Sequence, residues 1–298
     1  MKKLLLVLAV ASLFTATAQA EELTGTLKKI KETKTLVLGH RDSSIPFSYL
    51  DNSQRPIGYS VEVANHIAEA IKKKLNMPFI EVRYNLVTSQ TRIPLVQNGT
   101  VDLECGSTTN NVERQKQVAF SNGIFEIGTR LLTNKKTGIK EFTDLAGKNV
   151  VTTAGTTSER LIKKMNEEKK MNMNIISAKD HGESFLMLES NRAAAFMMDD
   201  ALLAGEIAKA KSPTDWAIVG TAQSNEIYGC MLRKDDPQFK KLVDESIVDL
   251  YKSGRIRAVY ARWFTQPIPP KNLNLNFPMS EDLKKLIANP TDKSAEQM

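Results

Sequence analysis

Short apolar runs that read as strands alternate with amphipathic helical stretches, and the alternation runs through two cycles; this pattern restricts the chain to α/β lobes built on largely parallel sheets. In the first cycle Thr35–Gly39 and Phe79–Tyr84 read as strands, with Ile80, Val82 and Tyr84 on one side of the second. Between them Val63, Ala64, Ile67, Ala68, Ile71 and Leu75 share one helical face, with Ser60 as the expected cap. Thr88–Asn98 reads as a short helix stopped by Gly99, Val101–Cys105 as a strand, and Asn111–Gln117 as a helix. Thr129–Thr133 leads into the second cycle, whose strands are Asn149–Thr153, Asn174–Ala178, Ala194–Met198, Trp216–Gly220 and Tyr228–Leu232. Its helices run through Lys170, over Glu183–Glu189 and over Ala201–Lys211. Pro237–Ser253 is amphipathic, with Phe239, Leu242, Val243, Ile247, Leu250 and Tyr251 on one face and Gly254 closing it.

Met1–Ala20 has a basic start (Lys2, Lys3), an apolar stretch from Leu4 to Phe14, and Ala18-Gln19-Ala20 before Glu21, the layout of a cleaved secretory leader. Its apolar part is too short to span a bilayer, and no cysteine stands at the cleavage point to carry a lipid anchor. The mature chain is therefore expected free in a periplasm. Cleavage removes 20 of 298 residues, leaving 278, and removes two lysines, so the formal charge falls from +7 to +5. That length suffices for two lobes. The lysines are scattered among acids, as in Lys163–Lys170, without aromatic interleaving, which argues against a nucleic-acid partner. A lone pair of cysteines in an oxidising compartment favours a bridge over free thiols, so Cys105–Cys230 is the expected disulfide. His40, His66 and His181 are dispersed and form no metal spacing. Met165, Met171 and Met173 lie among Asn and Lys and read as packing residues. No phosphate-binding loop or nucleophile elbow is present, and no cofactor is expected.

Gly106–Ser121 (GSTTNNVERQKQVAFS) joins a strand end to a helix start through a hydroxyl-rich loop. Backbone amides, the hydroxyls of Ser107, Thr108 and Thr109, and the Arg114 guanidinium converge there, a set suited to a carboxylate. Arg92 falls in the first turn of its helix, where a cation opposes the helix dipole and invites an anion facing it; Ser89 offers a hydroxyl at the same end. Gly155-Thr156-Thr157-Ser158 is a further helix-start anion site in form.

Taken together, these segments resemble the family 3 solute-binding proteins, the amino-acid receptors of ABC transporters, over nearly all of the chain after the leader. The resemblance implies an α/β, two-lobed periplasmic-binding-protein fold of type II with two hinge strands. Transferred to this chain, residues 21–128 begin lobe 1, residues 129–225 form lobe 2, and residues 226–298 return to lobe 1. The hinges then fall near Ile127–Arg130 and Asn225–Gly229, with Cys105 and Cys230 near the crossover. Members that bind lysine or arginine commonly carry an aspartate where Leu38–Phe47 (LGHRDSSIPF) has Arg41, so the ligand side chain is expected to be acidic.

By the same resemblance Ser107, Thr109 and Arg114 grip the α-carboxylate from lobe 1, and Thr157 does so from lobe 2. Asn191–Asp199 (NRAAAFMMD) matches a strand ending in the aspartate that binds the α-ammonium, which places that role on Asp199, with Asp200 capping the next helix. His181 opens a helix from which lobe 2 makes further contacts. Two departures stand out: Asn110-Asn111-Val112 replaces the usual Thr-Pro, and Gly58-Tyr59-Ser60 replaces Gly-Phe-Asp. The implied partners are L-glutamate or L-aspartate and an inner-membrane ABC permease, for a monomer without catalytic residues. Three arginines against Asp199 and a doubly acidic zwitterion leave the liganded site at +1. The alternative is a periplasmic cyclohexadienyl dehydratase on the same fold, for which Asp199, Glu104 or His181 would have to supply the acid.

Overall fold

The computed structural model describes residues 22–298; the expected leader, Met1–Ala20, lies outside the described residues. Among the described residues no helix is long and apolar enough to cross a membrane.

The elements that carry the site are, in order, α1 (Gly25–Thr33), β1 (Thr35–His40), α2 (Tyr59–Lys74), β2 (Glu81–Leu86), α3 (Arg92–Gln97), β3 (Leu103–Glu104), α4 (Val112–Gln115) and β4 (Ala119–Asn134). They continue with β5 (Asn149–Thr153), α5 (Thr157–Glu168), β6 (Asn174–Ala178), α6 (His181–Glu189), β7 (Ala195–Asp199), α7 (Asp200–Lys209), β8 (Trp216–Val219), β9 (Asn225–Leu232) and α8 (Pro237–Lys252). They make two lobes. In one, β1 runs parallel to both β2 and β3, and β9 pairs antiparallel with β3 and β4. In the other, β5 runs parallel to β6 and β7, while β4 pairs antiparallel with β7 and β8. The sixteen-residue β4 belongs to both: its Gly128 is the last partner of β9, at Asn225, and its Thr129 is the first partner of β7, at Asp199.

Apolar periodicity explains the packing. Val63, Ala64, Ile67, Ala68, Ile71 and Leu75 line the buried face of α2, and α8 buries Phe239, Leu242, Val243, Ile247, Leu250 and Tyr251. The second lobe packs Val150, Ile162, Met165, Met171, Met173 and Met197 together, so the three methionines serve as core. Beneath the cleft Phe47, Phe125, Tyr228 and Phe264 form an aromatic knot, with Phe47–Phe125 centroids 4.8 Å apart edge-on and Phe125–Phe264 stacked at 4.8 Å. Cys105 and Cys230 are bonded, which ties the end of β3 to β9.

Several element boundaries differ from the sequence reading. The second strand is Glu81–Leu86 rather than Phe79–Tyr84, and Phe79 is exposed. Thr88–Thr91 forms a hydroxyl-tied loop ahead of α3, with Thr88 N–H bonded to Thr91 Oγ1, so the helix begins only at Arg92. Asn111 is the cap of α4, accepting from Arg114 N–H at 2.8 Å, rather than part of the helix. Gly58 occupies the N-cap position of α2, and Ser60 instead donates to Gly106 O from inside the fold. Asp199, not Asp200, stands at the N-cap position of α7.

Candidate functional site

Residues from both lobes meet at the carboxyl ends of β1, β3, β5 and β7, where a doubly wound sheet presents its loops. Arg41 follows β1 directly and is 1 % exposed, with its backbone N–H bonded to Ser48 Oγ. No contact pairs it with Asp42; its Nη1 lies 3.5 Å from Ser107 Oγ. Arg92 turns away from its own helix start, donating from Nη1 to Ser107 O at 2.9 Å and to Thr108 Oγ1 at 2.6 Å. The Thr108 hydroxyl in turn donates a hydrogen bond to Glu104 Oε2 at 2.7 Å. The anion facing Arg92 inside the protein is therefore Glu104, which is fully buried. An added Cβ at Gly106 would sit 2.3 Å from Glu104 Oε1, and one at Gly39 2.9 Å from its Cγ. Gly106 is thus required for room around that carboxylate rather than for a turn.

Arg114, held by the capped α4, donates to Thr109 O at 2.8 Å and across the cleft to Gly155 O at 3.3 Å. Gly155 itself (φ +78°) approaches so closely that a Cβ there would meet Gln90 and Ser89 within 2.9 Å. Ser43 donates to Asp180 across the same gap at 3.3 Å, so the lobes touch along the rim. Thr157 opens α5, with Thr156 capping the helix at Glu159 N–H. Asp199 ends β7; its Oδ1 accepts from Ser158 Oγ at 3.2 Å and its Oδ2 from the Tyr228 hydroxyl. His181 is the first residue of α6, and its Nδ1 lies 2.9 Å from Thr153 Oγ1.

Electrostatics follow from burial. Desolvation, with Arg92 adding repulsion, lowers the Arg41 guanidinium to about 10 and Arg114 to about 9. Burial followed by Arg41 and Arg92 pushes His181 well below its ordinary value, so its ring is neutral. Burial, then the Glu226 carboxylate, raises the Asp199 carboxyl to about 7, against the lowering pull of the Tyr228 and Ser158 hydrogen bonds. Four polar atoms of the sequence-derived set are buried without any hydrogen-bond partner in the protein: Arg41 Nη2, Ser89 Oγ, Arg92 Nε and His181 Nε2. Buried polar atoms are nearly always satisfied, so the orphans on Arg41, Arg92 and His181 mark a place able to receive a ligand acceptor, beside the equally unpartnered Glu104 Oε1, while Ser89 lies against Gly155 near Arg114.

The structure thus brings Arg41, Ser89, Arg92, Ser107, Thr109, Arg114, Thr157, His181 and Asp199 around one cleft. Sequence reasoning missed Tyr228 and also Glu226, which accepts from Thr109, Thr157 and Ser224; it considered Glu104 only as a candidate acid for the dehydratase alternative. The two added carboxylates revise the charge balance: the protein groups sum to zero rather than +2, and the site holding a dicarboxylate amino acid sums to −1 rather than +1, relieved by the raised pKa of Asp199. Among the described residues no cluster of three metal-ligating side chains exists.

The model of the bacterial extracellular solute-binding proteins, family 3, matches residues 36–266. The chain is 72 % identical over 290 residues, 97 % of its length and 96 % of the relative's, to the L-glutamate/L-aspartate-binding protein of Pseudomonas aeruginosa. It is 62 % identical over 269 residues, 90 % of its length and 89 % of the relative's, to the glutamate/aspartate import solute-binding protein of Escherichia coli. Among solved structures it resembles an ancestral amino-acid-binding protein described as a precursor of cyclohexadienyl dehydratase, with a TM-score of 0.71 and 28 % identity over 81 % of this chain and all of that one. With these matches and two lobes meeting over a cleft, the chain belongs to the family 3 bacterial extracellular solute-binding proteins.

Proposed function

We propose that this protein is a periplasmic receptor that takes L-glutamate or L-aspartate into the interlobe cleft and delivers it to an inner-membrane ABC permease. It acts as a monomer, after removal of residues 1–20. Lobe 1 comprises residues 21–128 and 226–298 and lobe 2 residues 129–225, a division supported by the partner exchange of β4 between Gly128 and Thr129. Closure is the joint effect of ligand contacts to both lobes, which favour the closed state by their differential affinity.

The carrying observation is the pair of orphaned guanidinium donors on Arg41 and Arg92, with the unpartnered His181 Nε2 facing them. A ligand side-chain carboxylate satisfies these donors, with Arg41 as its main partner. A neutral amide offers one acceptor oxygen and no charge to guanidiniums already partly desolvated, and an ammonium would face cations. At the other end Arg114 and the first amides of α5 hold the α-carboxylate, while Asp199 takes the α-ammonium. The names of the similar proteins from Pseudomonas aeruginosa and Escherichia coli support the same ligand class. No observation favours the dehydratase reading: Asp199 has both oxygens engaged, and the structural neighbour associated with that enzyme is itself an amino-acid-binding protein.

Titration calorimetry of the mature protein against Glu, Asp, Gln, Asn and Lys tests the reading. Binding confined to the two acids is expected; binding of lysine or glutamine without the acids overturns it.

A further inference from the structure

Glu226 lies at the foot of β9, 8 % exposed, and none of the roles assigned above uses it. Its Oε2 accepts from Thr109 Oγ1 at 2.5 Å and from Thr157 Oγ1 at 2.8 Å, and its Oε1 accepts from Ser224 Oγ at 2.9 Å. The Ser224 hydroxyl lies 2.7 Å from Thr129 Oγ1. One carboxylate therefore joins a loop of one lobe, a helix start of the other and a strand that passes between them.

The chemistry of the partners fixes the direction of these bonds. A carboxylate has acceptors only, and each hydroxyl has a single proton. With Glu226 taking the protons of Thr109, Thr157 and Ser224, Thr129 is left to donate to Ser224. The Thr109 and Thr157 oxygens then have only lone pairs to offer anything else. Thr157 N–H and Ser158 N–H, at the first two positions of α5, have no acceptor within their helix and remain available to an anion.

We propose that Glu226 is a positioning residue for the amino-acid ligand: by drawing the protons of Thr109 and Thr157 toward itself, it converts both hydroxyls into acceptors and so sorts the two α-substituents. The α-ammonium, the one donor group on an acidic amino acid, is received by Asp199 and the Thr109 or Thr157 oxygen, in place of the α-carboxylate contact that the family resemblance implies for both threonines. The α-carboxylate is left to Arg114 and the helix amides, where a hydroxyl lone pair would repel it. This reading rests on the ligand class proposed above.

Replacing Glu226 by glutamine keeps size and shape but turns one acceptor oxygen into a donor: facing Thr109 and Thr157 the amide nitrogen forces both hydroxyls to reverse, and facing Ser224 it turns that hydroxyl toward Thr129 and leaves the threonines on a neutral, weaker acceptor. Calorimetric titration of E226Q with L-glutamate is expected to show at least tenfold weaker binding, while the melting temperature of the unliganded protein stays within about 2 °C of the wild type. A merely structural strut would lower that melting temperature together with the affinity. In a T109V/T157V background the E226Q change is expected to cost less than twofold, because both hydroxyls it acts through are already gone. An E226Q affinity within twofold of wild type, an E226Q loss that persists in full in the T109V/T157V background, or a large fall in unliganded melting temperature overturns the proposal. A wild-type protein that ignores acidic amino acids overturns the ligand class instead, so the two failures are separable.

Discussion

The two ends of the cleft are prepared in opposite ways. At the end assigned to the side chain, Arg41 Nη2, Arg92 Nε and His181 Nε2 are buried with no partner in the protein. At the α-substituent end, Arg114 is braced on Thr109 O and Gly155 O, Asp199 on Ser158 and Tyr228, and Thr109 and Thr157 on Glu226. The braced end is preorganised for groups common to every amino acid, which lowers the ordering cost of binding. The unbraced end carries desolvated donors whose cost only an acceptor-rich side chain offsets. On the ligand placement proposed above, specificity is concentrated where the protein leaves its own polar atoms unsatisfied.

Four substitutions or conditions would break or sharpen this contrast. The largest effect is expected from Arg41→Asp, which turns the main side-chain partner into a repelling charge: L-glutamate affinity should fall by at least a thousandfold, about 4 kcal/mol. Fluorescence or calorimetric titration showing unchanged affinity would remove Arg41 from the unbraced end altogether. Next, the C105S/C230S pair should lower unfolding free energy by about 2–5 kcal/mol in denaturant titration, since it opens a loop of 125 residues. A protein equally stable with and without reductant contradicts that.

His181→Ala should weaken L-glutamate binding by about 2 kcal/mol, the worth of one hydrogen bond to a charged group. The loss requires the neutral tautomer protonated at Nε2, with Nδ1 accepting from Thr153 Oγ1 2.9 Å away; unchanged or improved affinity on truncation would mean that Nδ1 carries the proton or that the ring faces no anion.

The smallest effect is in pH. Burial and Glu226 raise Asp199 to about 7, with Asp200 adding to the rise, and the Arg92 and Arg114 guanidiniums also face it. A ligand ammonium favours the ionised carboxylate, so affinity is full above neutrality and is lost as pH falls through 7, by at most about tenfold per unit. Binding near pH 6 should release a proton, readable as a buffer-dependent enthalpy. The unliganded fold responds with the opposite sign, because a carboxyl raised above its unfolded value loses stability as pH rises from about 4 toward 7. A pH-independent affinity between 5 and 8 would place the ammonium elsewhere.

Much of this contrast was legible in the sequence, but unevenly. Arg92 was conspicuous because a cation in a first helical turn opposes the dipole, and Arg114 because it follows a run of hydroxyls. Arg41, Asp199 and His181 carried no such local signature and came from resemblance alone. Glu104 was visible only as an acid inside the apolar run Val101–Cys105; the clue to its burial is that Gly39 on the paired strand and Gly106 two residues on leave it space. Glu226 heads an otherwise ordinary apolar strand, and its importance depends on hydroxyls 117 and 69 residues away. No periodicity reports a contact of that range. The same limit explains the misplaced helix start at Thr88: the propensity of Thr88–Thr91 is overridden by hydroxyl-to-backbone bonds that hold a loop.

The bridge between Cys105 and Cys230 spans a stretch of chain that contains the whole of β5 to β8. Topologically the second lobe is a detour stapled shut at its base. A single protease cut anywhere in that detour would leave both fragments covalently joined, so a nicked receptor would run as one intact species on a non-reducing gel and separate only once thiol reagent is added.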